Sequence, residues 1–335
     1  MLRSTGRPRG ALVILLAVLT LVAASSLRFA DATAVVAQVG DLRDLAVAPG
    51  YSIEIDSSGF DLPTAIAFIP QPGTAADSPL YFVAELQGSI KVVTRDRTVH
   101  DFADVPTWGH QGHDLDGASQ QGLAGLCLDP DNGYLFATYT EPDEGGVLRN
   151  RVVRFASQPG VFGLSAASAT PIAPVLASVQ SAPAHQIGGC TIHGGELYVG
   201  VGDGGNPREV SNPDVLLGKI ICMSFDGSPC RQRAFGGGDA PAVDPVAGSS
   251  TFSATDYVFA TGFRNPFGLV WLDGDLKVIE NGIRLDRFLT AVPGRDHLWN
   301  GTDESIASLA EIILPRPFAP VQLDYVPAGT SYMEP

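Results

Sequence analysis

Basic charge is scarce in this chain. Its 21 Lys and Arg stand against 36 Asp and Glu, a formal net charge of −15. Phosphate binding needs clustered cations, so nucleic acid is not an expected partner. An acidic surface otherwise mainly favours solubility. No stretch keeps a helical hydrophobic period, which argues against a helix bundle. No Cys-x-x-Cys occurs, which argues against a zinc site. Beyond the N-terminus, no apolar run is long enough to cross a bilayer. The stretch His110–Gly117 has a metal-binding composition, but its spacing fits neither a zinc helix motif nor a full EF-hand loop; it reads as an insertion lining a pocket mouth.

What is present is apolar residues (45%), 38 glycines and 25 prolines, enough for a sizeable core broken by many turns. Arg3, Arg7 and Arg9 precede an uncharged apolar stretch from Ala11 to Ala24, and Ala30-Asp31-Ala32 offers a small-x-small cleavage site. Residues 1–32 therefore read as a secretory signal and 33–49 as a linker. An uncleaved anchor is the competing reading and the one route to membrane association. Either way the folded part, taken as 50–335, is expected outside the cytoplasm, secreted or periplasmic. The four cysteines suit an oxidising compartment. They allow three pairings, and Cys222 and Cys230, which flank the turn Phe225–Pro229, are the first candidates for a local disulfide.

From about residue 50 a pattern recurs: a run after Gly or Pro, a turn, and further β-rich runs. Thr64–Pro70, Leu80–Glu85 and Ser89–Val93 form one unit, and Gly122–Pro130, Tyr134–Thr140 and Arg151–Phe155 a second. Gly188–Ile192, Glu196–Asp203 and Lys219–Met223 form a third, Phe267–Trp271 and Leu276–Glu280 a fourth, and Pro320–Tyr325 opens a fifth. Each reads as an antiparallel meander. The expected fold is all-β, a propeller of four-stranded antiparallel blades, because radial repetition hides most strand edges. An open ring would expose an edge, so the propeller is expected to be incomplete here.

Residues 257–282 are the most informative. An apolar run leads into Gly262-Phe263-Arg264-Asn265-Pro266, and a second ends in Glu280-Asn281-Gly282. Asn265-Pro266 sets a turn, since the residue before proline is pushed out of the helical region. An arginine between two buried strands is costly unless an anionic group meets it, so the turn reads as a platform for an oxygen-rich ligand.

Several segments, in order, resemble the soluble glucose/sorbosone dehydrogenase family of quinoproteins: Gln121–Leu126 with Asp129-Pro130-Asp131, His185-Gln186-Ile187-Gly188 with Val201–Gly205, Leu217–Ile220 with Asp226-Gly227, Gly262–Leu269, and Glu280-Asn281-Gly282. The resemblance runs from about residue 50 to 326. It implies a six-bladed propeller, of which about four and a half blades are present, binding pyrroloquinoline quinone (PQQ) and Ca2+. It also implies hydride transfer from a sugar hydroxyl to PQQ, with an electron acceptor the sequence does not name.

The resemblance assigns roles by position. His185 is the general base, a task imidazole suits near neutrality; a loop histidine bonded to backbone competes with it. Arg264 and Asn265 contact the quinone oxygens, where a fixed guanidinium stabilises developing charge; an arginine capping carbonyls between blades is the rival. Asn281 and Gly282 sit beside cofactor and calcium, with carbonyls at Gly282 and Ile283 as ligands, against an ordinary Asn-Gly turn. Gln121 lines the sugar pocket, with Gln120 as the alternative register. The chain also departs from the family. Ala184 replaces an acid before the histidine, Gly189 or Cys190 replaces an arginine, Ile283 replaces a proline, and the late cations that bind the cofactor carboxylates have no counterpart. These departures favour the alternative function, a non-catalytic extracellular binding module on the same fold.

Overall fold

The structure is a computed structural model that describes residues 53–109, 121–158, 160–172, 184–231, 234–235 and 252–315. His110–Gly117, Gln120, the proposed signal and linker, and the fifth unit at Pro320–Tyr325 lie outside the described residues. All the strands fall within one compact unit, Phe60–Pro320.

Four antiparallel four-stranded blades are arranged as a β-propeller. The first blade is β1 (Pro63–Phe68), β2 (Pro79–Glu85), β3 (Ser89–Thr94) and β4 (Val99–Asp104). The second is β5 (Leu123–Asp129), β6 (Tyr134–Pro142), β7 (Leu148–Ala156) and β8 (Ser168–Ile172). The third is β9 (Ile187–His193), β10 (Glu196–Val201), β11 (Lys219–Ser224) and β12 (Val258–Thr261); the fourth is β13 (Pro266–Leu272), β14 (Asp275–Asn281), β15 (Leu285–Ala291) and β16 (Ile312–Pro315). Within each blade the strands pair in sequence order. Among the described residues two short helices, α1 (Ala254–Tyr257) and α2 (Asp303–Ala307), interrupt the loops. No helix among the described residues is long and apolar enough to cross a membrane.

The first strands of successive blades stand side by side around the axis. Close approach there requires glycine. A Cβ on Gly189 would lie 2.5 Å from the carbonyl oxygen of Phe267, and one on Gly125 2.9 Å from that of Gly188. Interblade hydrogen bonds reinforce the contact: Thr64 Oγ1 donates to Leu123 O (2.7 Å) and Thr138 Oγ1 to Gly188 O (2.6 Å). Buried residues of neighbouring strands fill the space between blades, as Phe82, Ile90, Leu123, Leu135 and Phe155 do between the first two. Cys127 in β5 is joined to Cys190 in β9, and Cys222 to Cys230 across the expected turn. The first bond ties two neighbouring blades together.

Strand alternation sends two kinds of connection to the same end of the meanders: the crossovers between blades and the loops between second and third strands. His185 ends the crossover into β9, and Arg264 and Asn265 form the one from β12 to β13. Asp203 leaves β10, and Asn281–Ile283 links β14 to β15. Residues far apart in sequence therefore meet at one rim.

Candidate active site

His185 occupies the left-handed region, with φ of 57°. That conformation costs a non-glycine residue about 1 kcal/mol or more, and local bonds hold it. The Gly204 N–H donates to His185 O (3.2 Å), and Nδ1 of the imidazole lies 2.5 Å from Oδ1 of Asp203. Asp203 is buried, 1% exposed. Its Oδ1 also accepts the Gly205 N–H (2.8 Å), and its Oδ2 accepts the indole N–H of Trp299 (2.8 Å). Burial works to raise the Asp203 carboxyl. The bonds from His185, Gly205 and Trp299 outweigh it and hold the group below the usual carboxylate range. An ionised carboxylate only accepts, so Nδ1 carries a proton, and in the neutral ring the lone pair is on Nε2.

Arg264 approaches this pair from the next crossover. Its carbonyl oxygen accepts the Asp203 N–H (2.7 Å), and its Cζ stands 5.7 Å from the centre of the Trp299 ring. Its Nη1 donates to Asn281 O (3.2 Å), while Asn265 Nδ2 donates to Asn281 Oδ1 (2.7 Å). The imidazole and the guanidinium thus reach the same rim through Asp203 and Trp299.

The anion under this turn is Glu280, fully buried in β14. One oxygen accepts the backbone N–H of Arg264, and the other pairs with Arg287 Nε at 2.5 Å. Burial pushes the Glu280 carboxyl up, against the opposing effect of Arg287 and the backbone N–H groups of Arg264 and Asn265. Arg287, 1% exposed, also donates to His297 O (2.9 Å), Ile306 O (3.1 Å) and Gly262 O (3.4 Å). This knot sets the Gly262–Asn265 turn from beneath. Glu280 is an anion of the protein itself beneath this turn: it meets the Arg264 backbone N–H and forms its salt bridge with Arg287.

Gly282 is tightly enclosed. A Cβ there would meet Leu285 O at 2.2 Å and Asp303 Oδ1 at 2.7 Å. Asp303 receives the N–H groups of Ile283 (2.8 Å) and Arg284 (2.9 Å), one on each oxygen, and so braces the turn. Beside Asn265 and Asn281 a cavity of about 450 Å³ opens among the first strands, lined also by Gln186, Gly188, Gly189 and Phe267. Gln186 turns its Nε2 onto Ala184 O (2.9 Å). Gln121 stands half-buried at the entry to β5, three residues before Ala124, which lines the cavity.

The sequence model of the glucose/sorbosone dehydrogenase family matches residues 60–306. The chain belongs to this family. Among solved structures it is similar to an oxidoreductase described as a glucose dehydrogenase from Thermus thermophilus. That match has 27% identity and a TM-score of 0.56 over 74% of this chain and 67% of the other. It is also similar to the PQQ-bound form of an aldose sugar dehydrogenase from Streptomyces coelicolor (21%, TM-score 0.56, 76% and 66% covered). A third is the soluble aldose sugar dehydrogenase of Escherichia coli in its apo-form (18%, TM-score 0.50, 72% and 63% covered). The last two bear on the fold alone. This member of the family spans about two thirds of the length of these structures. No curated protein matches it significantly.

The glucose/sorbosone dehydrogenase motifs pointed to His185, Arg264, Asn265, Asn281 and Gly282, and the fold gathers all of these at one rim. They gave no role to Trp299 or Arg287, which belong to none of the matched segments. Their signal was weak: a lone tryptophan and an arginine amid a β-rich run. The amides of Asn265 and Asn281 and the backbone of Gly188 and Gly189 line the cavity, polar groups of the kind a quinone edge takes; His185 and Arg264 stand at the same rim but are not among its lining residues. The cavity lining holds no charged side chain for the cofactor carboxylates. At the Gly282 turn backbone carbonyls are hard oxygen donors of the kind calcium takes, while the Asn281 oxygens accept from Asn265 and Arg264 and Asp303 accepts backbone N–H groups.

Proposed function

We propose that this chain is a secreted sugar dehydrogenase dependent on PQQ and Ca2+. The His185–Asp203 contact carries this reading, because it fixes the imidazole with Nε2 as the proton-accepting nitrogen. PQQ, when bound, would supply an electrophilic quinone able to accept two electrons as hydride. His185 removes the hydroxyl proton as that hydride departs, so the alcohol loses two electrons and two hydrogens to become a carbonyl. Arg264, Asn265 and Asn281 would hold the quinone edge, with the guanidinium placed where negative charge gathers. Carbonyls of Gly282 and Ile283 would hold calcium, and Gln121 would contact the sugar. An electron acceptor completes turnover.

The two disulfides, one of them across neighbouring blades, support an oxidising compartment. The second reading, a non-catalytic extracellular binding module, is favoured by Ala184 and Ile283 in place of the family residues. One assay separates them. The full-length protein is supplied with PQQ and Ca2+, and aldose-dependent reduction of an artificial dye is followed. Dye reduction that His185→Ala abolishes supports the dehydrogenase. A folded, calcium-binding protein that takes up no PQQ supports the binding module.

A further inference from the structure

Trp299 lies in the segment that climbs beside β12 after β15. It is 3% exposed and packs with Val210 and Ile306. Its backbone N–H donates to Gly262 O (3.0 Å), which anchors it to the turn carrying Arg264. Its indole N–H points at Oδ2 of Asp203 (2.8 Å) and its ring faces the Arg264 guanidinium. Packing alone does not demand this. In the same molecule Trp271 stacks on His193 at 4.2 Å with its Nε1 buried and without a hydrogen-bond partner.

Resting on the dehydrogenase reading above, we infer that Trp299 is a positioning residue for the reaction, whose N–H fixes the Asp203 carboxylate that orients His185 and whose ring steadies Arg264. One side chain thereby keeps the proton acceptor and the cofactor-side cation in register. Without the indole donor, Asp203 is anchored by side-chain bonds at Oδ1 alone, and the carboxylate gains freedom to turn away from Nδ1. Outer partners that orient metal ligands typically cost about 10- to 100-fold when removed, and a loss of that order is expected for a group that orients the general base through its carboxylate.

Trp299→Phe keeps a ring face and loses the donor; Trp299→Leu loses both. The first readout needs no cofactor: 15N NMR of the His185 ring, assigned by its loss in His185→Gln. The wild-type protein is expected as the Nδ1–H tautomer, and both variants as a mixture. In the protein supplied with PQQ and Ca2+, Trp299→Phe is expected to lower kcat about tenfold or more with the sugar KM unchanged. Trp299→Leu is expected to weaken PQQ uptake as well. If Trp299→Phe lowers the melting temperature, 3-benzothienylalanine at this position keeps the bicyclic shape without the donor and makes the same comparison. A wild-type tautomer in the donor-less variants overturns the inference. A wild-type protein that neither binds PQQ nor oxidises aldoses overturns the dehydrogenase reading instead, while the tautomer measurement still decides whether the indole sets Asp203 and His185.

Discussion

A carboxylate can only accept hydrogen bonds, and that limits what Asp203 can do to its neighbours. It receives the imidazole, a backbone amide and an indole. Asparagine at this position has nearly the same shape but can present an N–H to Nδ1, which moves the ring proton to Nε2. Asp203→Asn is therefore expected to leave the fold intact and lower kcat by about a hundredfold or more, with little change in KM, in steady-state dye reduction. His185, Arg264, Asn265 and Asn281 were legible because each sits in a short turn motif whose residue types constrain the backbone. Asp203 stands in the matched segment Val201–Gly205, but its contact with His185, 18 residues away, was not legible. Trp299 was not legible at all, since its partner lies 96 residues away. Arg287 was hidden for a related reason: a buried arginine in a strand looks like an exposed one until Glu280 is seen beneath the turn.

Strands that bury several residues on one face were readable, and outer strands were not. β2, β6 and β10 are nearly continuous apolar or aromatic runs and were located closely. β4 and β8 bury one residue each, too few to show alternation, so the fourth strand of those blades was missed. β15 does bury alternate residues, Arg287, Leu289 and Ala291, but the first of them is charged, so the run does not read as apolar and was passed over. Pairing of the cysteines was half legible. The Cys222–Cys230 link follows from a turn signal, whereas Cys127–Cys190 depends on β5 and β9 becoming neighbours. The two links should differ in weight. They close loops of 63 and 8 residues, for which chain entropy predicts about 4 and about 2.5 kcal/mol. Replacing Cys127 and Cys190 by Ala is expected to lower the midpoint of chemical unfolding more than replacing Cys222 and Cys230. Equal losses would mean that blade-to-blade packing alone holds β5 against β9.

At the scale of the molecule, acid acts in two opposed ways. The chain carries a formal charge of −15, so protonating surface carboxylates relieves self-repulsion. A buried base held neutral responds in the other direction. His297 is 1% exposed, stacks on Phe263, places Nδ1 3.2 Å from Thr261 O and accepts the Val292 N–H at Nε2 (3.3 Å). That arrangement needs a neutral ring, with Nδ1–H donating. Burial pushes its pKa down to about 4, helped by the Arg287 and Arg295 charges and opposed by the backbone bonds to Thr261 and Thr290. A group depressed in this way contributes stability above its unfolded pKa of about 6.5 and loses it as pH falls through the folded value. The full shift corresponds to about 3 kcal/mol. The melting temperature is therefore expected to fall between pH 6.5 and pH 4, ahead of the loss from Asp203, whose low carboxyl gives way only at more acid pH. His297→Gln removes the titrating ring, so its melting temperature should start lower and then hold level or rise over the same interval, as relief of surface repulsion takes over. The segment that unlocks is the one carrying Trp299. Because a general base must stay unprotonated whatever His297 does, the readout is the difference from His297→Gln: the wild-type protein should lose dye reduction at a higher pH than the variant, reversibly and before the strands melt as followed by far-ultraviolet circular dichroism. Loss of activity only together with the strands would show that His297 supports the whole propeller rather than this one wall of the site.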